Sequence, residues 1–170
     1  NDNNSIIKSD YAEYDKKRNY FILKNNIFLQ DKNGNKFFGE YATYDKNKKI
    51  FTTLGESKLS TTEGYNVVTL DLVVNLGNNS AFSKNNSIIE DLEGNKINLE
   101  NFEYNSSNNI FKSIGNIKIK DKMNNSYNFS QIYIDERKKE LIGTDSKAYL
   151  NAKNFSNDSR NKPRIFSNVV

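Results

Sequence analysis

The sequence predicts an all-β protein: one antiparallel folded sheet of about ten strands, built from five 30-residue repeats. Three observations predict this fold. The chain repeats itself at a fixed spacing, apolar side chains alternate within each repeat, and glycine recurs near the middle of the predicted strands. The chain is also rich in Tyr and Phe and contains a single Pro, a composition that favours extended strands.

The repeats align without gaps when the sequence is shifted by 30 residues. The segment YAEYDKKRNYF at Tyr11 aligns with YATYDKNKKIF at Tyr41, and three further copies follow. One alignment column contains Asp15, Asp45, Asn75, Asn105 and Asp135. Because Asp and Asn side chains hydrogen-bond the backbone two residues on, this column predicts the first residue of a turn. A second column contains Gly34, Gly64, Gly94 and Asn124, residues suited to a positive φ, and predicts a second turn.

Between the turns lie segments of about ten residues in which apolar side chains alternate, as at Ile27 and Leu29 or Ile117 and Ile119. Alternation of this kind places apolar side chains on one face of a strand. Each repeat therefore predicts two strands and two tight turns, and the whole chain predicts an antiparallel meander.

Glycine recurs where the middle of the strands is expected. Gly39 lies eight residues before Asn47, at the centre of a turn, and Gly55 lies eight residues after it, so the two glycines are predicted to face each other. Gly115 and Asn25 share the Gly55 column. Glycine inside a strand marks a bend. Since a flat sheet of this size would expose a large apolar face, we expect it to fold along this crease into a V-shaped trough with an apolar inside.

Several classes of site are excluded by composition. The chain contains no His, Cys or Trp, which excludes imidazole bases, thiolate nucleophiles, Cys/His zinc sites and disulfides. Lys and Arg number 25 against 21 Asp and Glu, and the charges are scattered singly, so we expect no nucleic acid partner. No apolar run is long enough for a membrane helix.

The acidic residues do not predict a metal site or an active site. A calcium loop beginning at Asp31 would need Gly at its sixth position and an acid at its twelfth, but these positions hold Lys36 and Ala42. The acids recur at turns instead of converging on one spot. We therefore expect no catalytic residues, no metal, no cofactor and no enzymatic activity.

The repeat unit, seen as YAEYDKKRNYFILKNNIFLQDKNGN and NFEYNSSNNIFKSIGNIKIKDKMNN, resembles the OstA-like family of periplasmic lipopolysaccharide-transport proteins. The resemblance covers roughly residues 9–152 and implies the β-jellyroll, or β-taco, fold of that family. Residues 1–8 are then an N-terminal edge segment. The ending NDSRNKPRIFSNVV resembles the passage in which the LptD branch leaves its periplasmic domain, so residues 153–170 are predicted to be a linker toward a C-terminal outer-membrane barrel that this chain does not contain.

Within the family, the resemblance favours the periplasmic N-terminal domain of the LptD branch over LptA, a separate bridge protein. LptD proteins often carry disulfide-forming cysteines, and this chain has none. The implied function is lipopolysaccharide transport and outer-membrane assembly, at the periplasmic face of the outer membrane. The implied partners are lipopolysaccharide, an upstream LptA-like bridge protein and, if a barrel follows, an LptE-like lipoprotein. Strand addition by the bridge is expected at Ile6, Ile7 and Tyr11.

The resemblance implies that acyl chains are shielded inside the trough. Twenty residues at alternating positions are predicted to line it, although core packing alone is an equal alternative for each of them. They are Phe21, Ile27, Leu29, Phe37, Tyr44, Phe51, Leu59, Val67, Val74, Ile89, Ile97, Leu99, Tyr104, Phe111, Ile117, Ile119, Tyr127, Phe129, Ile134 and Leu141.

Two other β architectures fit the repeats less well. A carbohydrate-binding or adhesive β-repeat domain would stack aromatic residues on an outer face, whereas Tyr20, Tyr41 and Tyr133 are scattered. A ten-strand membrane barrel would be most apolar at the middle of its strands, where this chain has Thr53 and Ser83.

Overall fold

The computed structural model describes residues 5–152 and 163–169, and all sixteen strands in this part of the chain belong to one antiparallel sheet. The predicted fold class is confirmed. The strands are β1 (Ile6–Lys8), β2 (Tyr11–Asp15), β3 (Tyr20–Gln30), β4 (Lys36–Asp45), β5 (Ile50–Thr53), β6 (Glu56–Ser60), β7 (Asn66–Leu70), β8 (Val73–Asn75), β9 (Ser80–Ser83), β10 (Ser87–Glu90), β11 (Lys96–Leu99), β12 (Phe102–Asn105), β13 (Ile110–Lys120), β14 (Ser126–Asp135), β15 (Glu140–Tyr149) and β16 (Arg164–Val169).

The sheet consists of two leaves joined at a crease. The first leaf contains β2, β5, β8, β9, β12 and residues 20–24, 41–45, 110–114, 131–135 and 140–144 of the long strands. The second leaf contains β1, β6, β7, β10, β11, β16 and residues 27–30, 36–39, 117–120, 126–129 and 146–149. Long strands pass through the crease, whereas others stop there. This interruption accounts for sixteen strands where the sequence predicted about ten.

An aromatic contact shows that the leaves fold onto each other. Phe51 pairs with Tyr44 in the first leaf, and Phe37 lies seven residues earlier on the same strand as Tyr44, in the second leaf. Seven residues of straight strand would span about 23 Å. The Phe37 and Phe51 rings nevertheless meet edge to face with their centroids 5.3 Å apart. The strand must therefore bend back at the crease, with the apolar face inside.

The crease follows the predicted column. Positive φ angles occur at Asn25 (60°), Gly55 (82°), Gly115 (119°) and Asp145 (51°). Successive positions in this set are separated by 30 or 60 residues, as the repeat requires. The pairing register shifts between Lys24 and Ile27 and between Ile114 and Ile117, where this bend takes up residues.

The predicted pairing of the two crease glycines was wrong by two residues. Gly39 lies opposite Ile27 and Ser57, not Gly55. Counting outward from the turn assumes a hairpin in which every residue has a partner. At the bend, one strand has extra residues that pair with none on the other strand, so the register shifts.

The turns form as predicted from the Asx column. In all five repeats the side-chain oxygen of the first turn residue accepts a hydrogen bond from the amide two residues on, at 2.9–3.1 Å: these residues are Asp15, Asp45, Asn75, Asn105 and Asp135. Successive turns also bond to one another, as where the Lys46 amide donates to the Asn19 carbonyl at 3.0 Å. The repeats therefore stack at a fixed spacing at the tip of the first leaf.

The two ends of the sheet are formed by β1 with β2 and by β16. β1 and β2 pair only with β3 and form the first edge. At the other end β16 pairs with β15, although the sequence assigned this region to a linker. Residues 1–4 of the edge segment, and residues 153–162 and 170 of the predicted linker, lie outside the described residues. In the ranges the structure describes, no helix has the length and apolar character to cross a membrane.

Candidate functional site

The pairing register aligns inner side chains into rows that cross the sheet. The first-leaf tip row, near the turns, is apolar or aromatic throughout: Tyr14, Phe21, Tyr44, Phe51, Val74, Ala81, Tyr104, Phe111, Ile134 and Leu141. The second-leaf tip row is apolar or aromatic as well: Ile7, Leu29, Phe37, Leu59, Val67, Ile89, Ile97, Ile119, Tyr127, Ala148 and Ile165. Together these tip rows form the two walls of a trough.

The bottom of the trough, at the crease, is lined partly by hydroxyl groups. Six small polar residues there are only 1–2% exposed: Thr53, Ser57, Thr69, Ser83, Ser87 and Ser113. The Ser57 hydroxyl donates to Thr53 Oγ1 at 2.9 Å, and the hydroxyls of Thr69 and Ser87 lie 2.7 Å apart. Among the described residues, every buried side-chain polar atom has a hydrogen-bond partner. The polar groups at the bottom of the trough are thus all hydrogen-bonded.

Burial falls from the bottom of the trough to its mouth, the gap between the tips of the two leaves. Ile27 and Ile117, beside the crease, are 2% and 0% exposed. Leu59 and Val67, in the second-leaf tip row, are only half-buried. Phe37 and Phe111, in the tip rows, are buried, and Phe37 contacts Phe51 of the opposite row. The half-buried members of the tip rows are therefore the apolar surface that a guest molecule can reach.

A polar cluster lies between the two tips near the middle of the sheet. The Tyr104 hydroxyl donates to Glu136, on a first-leaf turn, at 3.2 Å. Burial raises the pKa of Tyr104 to about 12, and the charges of Glu136 and of Glu63, on a second-leaf turn, add to this effect. Burial raises the pKa of Tyr65 as well, and the negative charge of Glu136 is the next largest cause of that rise. Residues from both tips therefore interact across the mouth at this point.

Tyr104 predicts a stability loss in strong alkali. Its pKa in the folded protein is about 12, above the ordinary value of 10, so its contribution to stability is complete below pH 10 and is lost as the pH rises through 12. The difference in free energy of unfolding between wild type and Tyr104→Phe should change over this interval. Denaturant titrations at a series of pH values measure it, and a difference constant through pH 12 would contradict the assignment.

The structure places all twenty predicted lining residues on the inner face. Sixteen belong to the tip rows, and four lie beside the crease: Ile27, Leu99, Ile117 and Phe129. Contact of any of them with lipid stays a prediction. Leu141, on β15 at the end of the first leaf, is 44% exposed because in the described chain β16 pairs only with residues 144–149 of β15.

Sequence reasoning missed several inner residues next to the crease. Ala42, Leu72, Phe102 and Ile132 are all buried in the core. They occupy one column of the 30-residue alignment, the second position of four of the five repeats, and this periodicity was the signal that could have found them. The buried hydroxyls carry the same signal, because Thr53, Ser83 and Ser113 are spaced by 30 residues, but Ser and Thr in a strand are ordinarily assigned to an exposed face.

The predicted partner edge is exposed. Ile6, Ile7 and Tyr11 are 41%, 68% and 46% exposed. Ile7 continues the second-leaf tip row, whereas Ile6 and Tyr11 point to the outer face. The same tip row ends at the other edge with Ile165, which is 60% exposed. Both walls of the trough thus run to the ends of the sheet and stay open there.

The chain resembles solved structures in fold but matches no family model. No curated protein matches it either. Among solved structures, the chain is similar to the crystal structure of LptH from Pseudomonas aeruginosa, described as the LptA homologous periplasmic component of the conserved lipopolysaccharide transport device. The match has 12% sequence identity and a TM-score of 0.34, and it covers 96% of this chain and 95% of that chain.

Proposed function

We propose that this chain is a carrier module for lipopolysaccharide in the periplasm. The observation that supports it is the pair of apolar tip rows, which cross the sheet from edge to edge, are only half-buried in many places and are open at both ends. The resemblance of the repeat unit to the OstA-like family agrees with this function.

Transport by such a trough needs no bond to be broken. Each methylene group of an acyl chain that leaves water for the tip rows contributes about 0.8 kcal/mol, whatever its position along the trough. The rows contain no charged side chain that would fix a guest at one point. Acyl chains therefore lie between the tip rows and move along them, while the sugars stay in water outside the mouth. The chain acts as a carrier and not as an enzyme.

Continuity with other modules would come from the open ends. β1 and β2 present backbone groups that pair with no strand on their outer side among the described residues. A strand from an upstream LptA-like bridge protein can pair there and extend the tip row beyond Ile7. The result is one apolar path through both proteins.

Within this function, we assign the chain to the LptD type, at the periplasmic face of the outer membrane, where it delivers lipopolysaccharide for outer-membrane assembly. The sequence NDSRNKPRIFSNVV favours this assignment over a separate bridge of the LptA type by its resemblance alone, since its residues Arg164–Val169 form β16 of the sheet. An LptE-like lipoprotein is then a further partner. The gene sequence after Val170 tests the assignment: alternating segments of about ten residues with aromatic girdles support it, and a stop codon supports the bridge.

The carrier function predicts which positions touch lipid. Leu59 and Lys58 are neighbours on β6, but Leu59 points into the trough and Lys58 points outward, where it forms an ion pair with Glu56 at 3.2 Å. A photo-reactive amino acid at position 59 should crosslink to lipopolysaccharide, and the same group at position 58 should not. Position 117, at the closed crease, should give much less product than position 59 because Ile117 is fully buried.

The crosslinked product is detected as a gel-shifted band recognised by an antibody against lipopolysaccharide. Equal labelling at positions 58 and 59, or none at either, would contradict the trough. A polysaccharide stripped of its acyl chains should not compete for the product. Full competition by that polysaccharide would favour the carbohydrate-binding alternative.

A further inference from the structure

The outer face of the second leaf carries a cluster of cations that forms no run in the sequence. On the five neighbouring strands from β11 through β13, β14 and β15 to β16, the two outward rows nearest the tip contain five cations and no acid. We call these residues the basic patch: Lys96, Lys118, Lys120, Lys147 and Arg164. All five are exposed.

The patch places like charges side by side. Lys96 lies directly opposite Lys120 in the pairing of β11 with β13, and Lys118 follows on the same face. On its other side Lys96 lies opposite Glu90 of β10, which borders the patch. Like charges at directly opposite positions destabilise a sheet. Within residues 5–152 and 163–167, the four lysines of the patch form no ion pair, whereas Lys58 and Lys122 elsewhere do. The repulsion between Lys96 and Lys120 is therefore offset only in part within the sheet, by Glu90.

The usual reasons for lysines on a sheet do not apply here. Edge lysines keep strands from pairing with other molecules, but β11 and β13 lie inside the sheet, with partners on both sides. The acids of these strands lie elsewhere. Glu100 and Asp145 are at the crease, and Asp135 and Glu140 are in the first leaf. Glu90 of β10 faces Lys96 alone and forms no ion pair with it among the described residues, so an external anion would offset the repulsion that remains among the other cations.

One border of the patch is aromatic and apolar. The Arg164 guanidinium lies over the Tyr149 ring at 5.8 Å, and the Tyr149 and Phe166 rings meet edge to face at 6.1 Å. Phe166 is 58% exposed. Exposed aromatic residues next to lysines are typical of surfaces that rest in the headgroup region of a membrane.

We propose that the basic patch binds the surface of an anionic phospholipid bilayer. Lysines suit this partner because they act as separate point charges and do not need the paired geometry with which Arg recognises single phosphates. A single-stranded nucleic acid would need aromatic rings spaced along its path, whereas Tyr149 and Phe166 sit together at one border. Bilayer binding turns the outer face of the second leaf to the membrane and leaves the mouth of the trough free.

Vesicle binding tests the proposal without lipopolysaccharide. The full chain is sedimented with vesicles of phosphatidylglycerol and phosphatidylcholine in equal parts, and with vesicles of phosphatidylcholine alone. Wild type should bind only the anionic vesicles, and salt should release it. Each lysine near an anionic surface contributes about fivefold, so the triple variant Lys96→Gln, Lys118→Gln, Lys120→Gln should bind on the order of 100-fold more weakly.

A matched control separates the patch from net charge. The triple variant Lys16→Gln, Lys17→Gln, Lys46→Gln removes the same charge from exposed turns of the first leaf, and it should keep wild-type binding. The patch variant should melt close to the wild-type temperature, because it removes both the repulsion between Lys96 and Lys120 and the attraction between Lys96 and Glu90. Equal loss in both variants, equal binding to neutral vesicles, or binding of a single-stranded oligonucleotide in place of anionic vesicles would overturn the proposal.

Discussion

Ile117→Ala should lower the free energy of unfolding by about 3 kcal/mol. Ile117 is fully buried where β13 leaves the crease, and it pairs with Phe129 on β14. The substitution removes apolar contact and leaves a cavity that the surrounding sheet cannot close, because bonded strands on both sides hold the backbone apart. A domain of this size has roughly 5 to 15 kcal/mol of stability in all. Denaturant titration followed by circular dichroism measures the change.

Ile114→Ala is the matched control on the same strand. Ile114 has the same side chain but is 63% exposed, so its replacement should change the free energy of unfolding by less than about 0.5 kcal/mol. Similar losses at both positions would mean that Ile117 is not packed between the two leaves. Such a result would contradict the conclusion that the two leaves pack tightly against each other at the crease.

The turns and the alternation of the strands could be predicted because they are local. An Asx side chain bonds an amide two residues away, so Asp45 and its equivalents mark turns in any fold that contains them. Alternation with period two likewise decides which side chains share a face, and it placed residues such as Leu59 and Ile119 on the inside. Neither inference needs knowledge of distant contacts.

The register at the crease could not be predicted, because it depends on how many residues each strand spends in the bend. Gly39 and Gly55 both lie at the crease, but they do not pair. β16 was missed for a related reason. It follows a polar stretch that contains Pro163, and only its alternation of Ile165 and Phe166 across the two faces indicates a strand.

The basic patch shows the same limit for charge. Lys96 and Lys120 are separated by 23 intervening residues, and each looks isolated in the sequence. Antiparallel pairing of β11 with β13 makes them direct neighbours. A count of charges along the chain argued against any basic surface. The pairing of β11 with β13, two strands that are distant in sequence, nevertheless produces a basic surface.

Thr53→Val should also cost about 3 kcal/mol, although it preserves the shape of the side chain. Thr53 is 2% exposed, and its Oγ1 accepts hydrogen bonds from the Leu72 amide and from the Ser57 hydroxyl, both at 2.9 Å. Valine leaves these two buried donors without an acceptor, and each lost partner costs about 1 to 3 kcal/mol. The free energy of unfolding from denaturant titration measures the effect.

Two further variants test whether the hydroxyl, and not the packing, is responsible. Thr52→Val changes the neighbouring residue on the outer face of the same strand and should be nearly neutral. The double variant Thr53→Val, Ser57→Ala removes one orphaned donor together with its lost acceptor, so it should be more stable than Thr53→Val alone. If the double variant is instead less stable, Ser57 makes an independent contribution. The buried hydroxyls would then act singly and would not form a paired network that holds the crease closed.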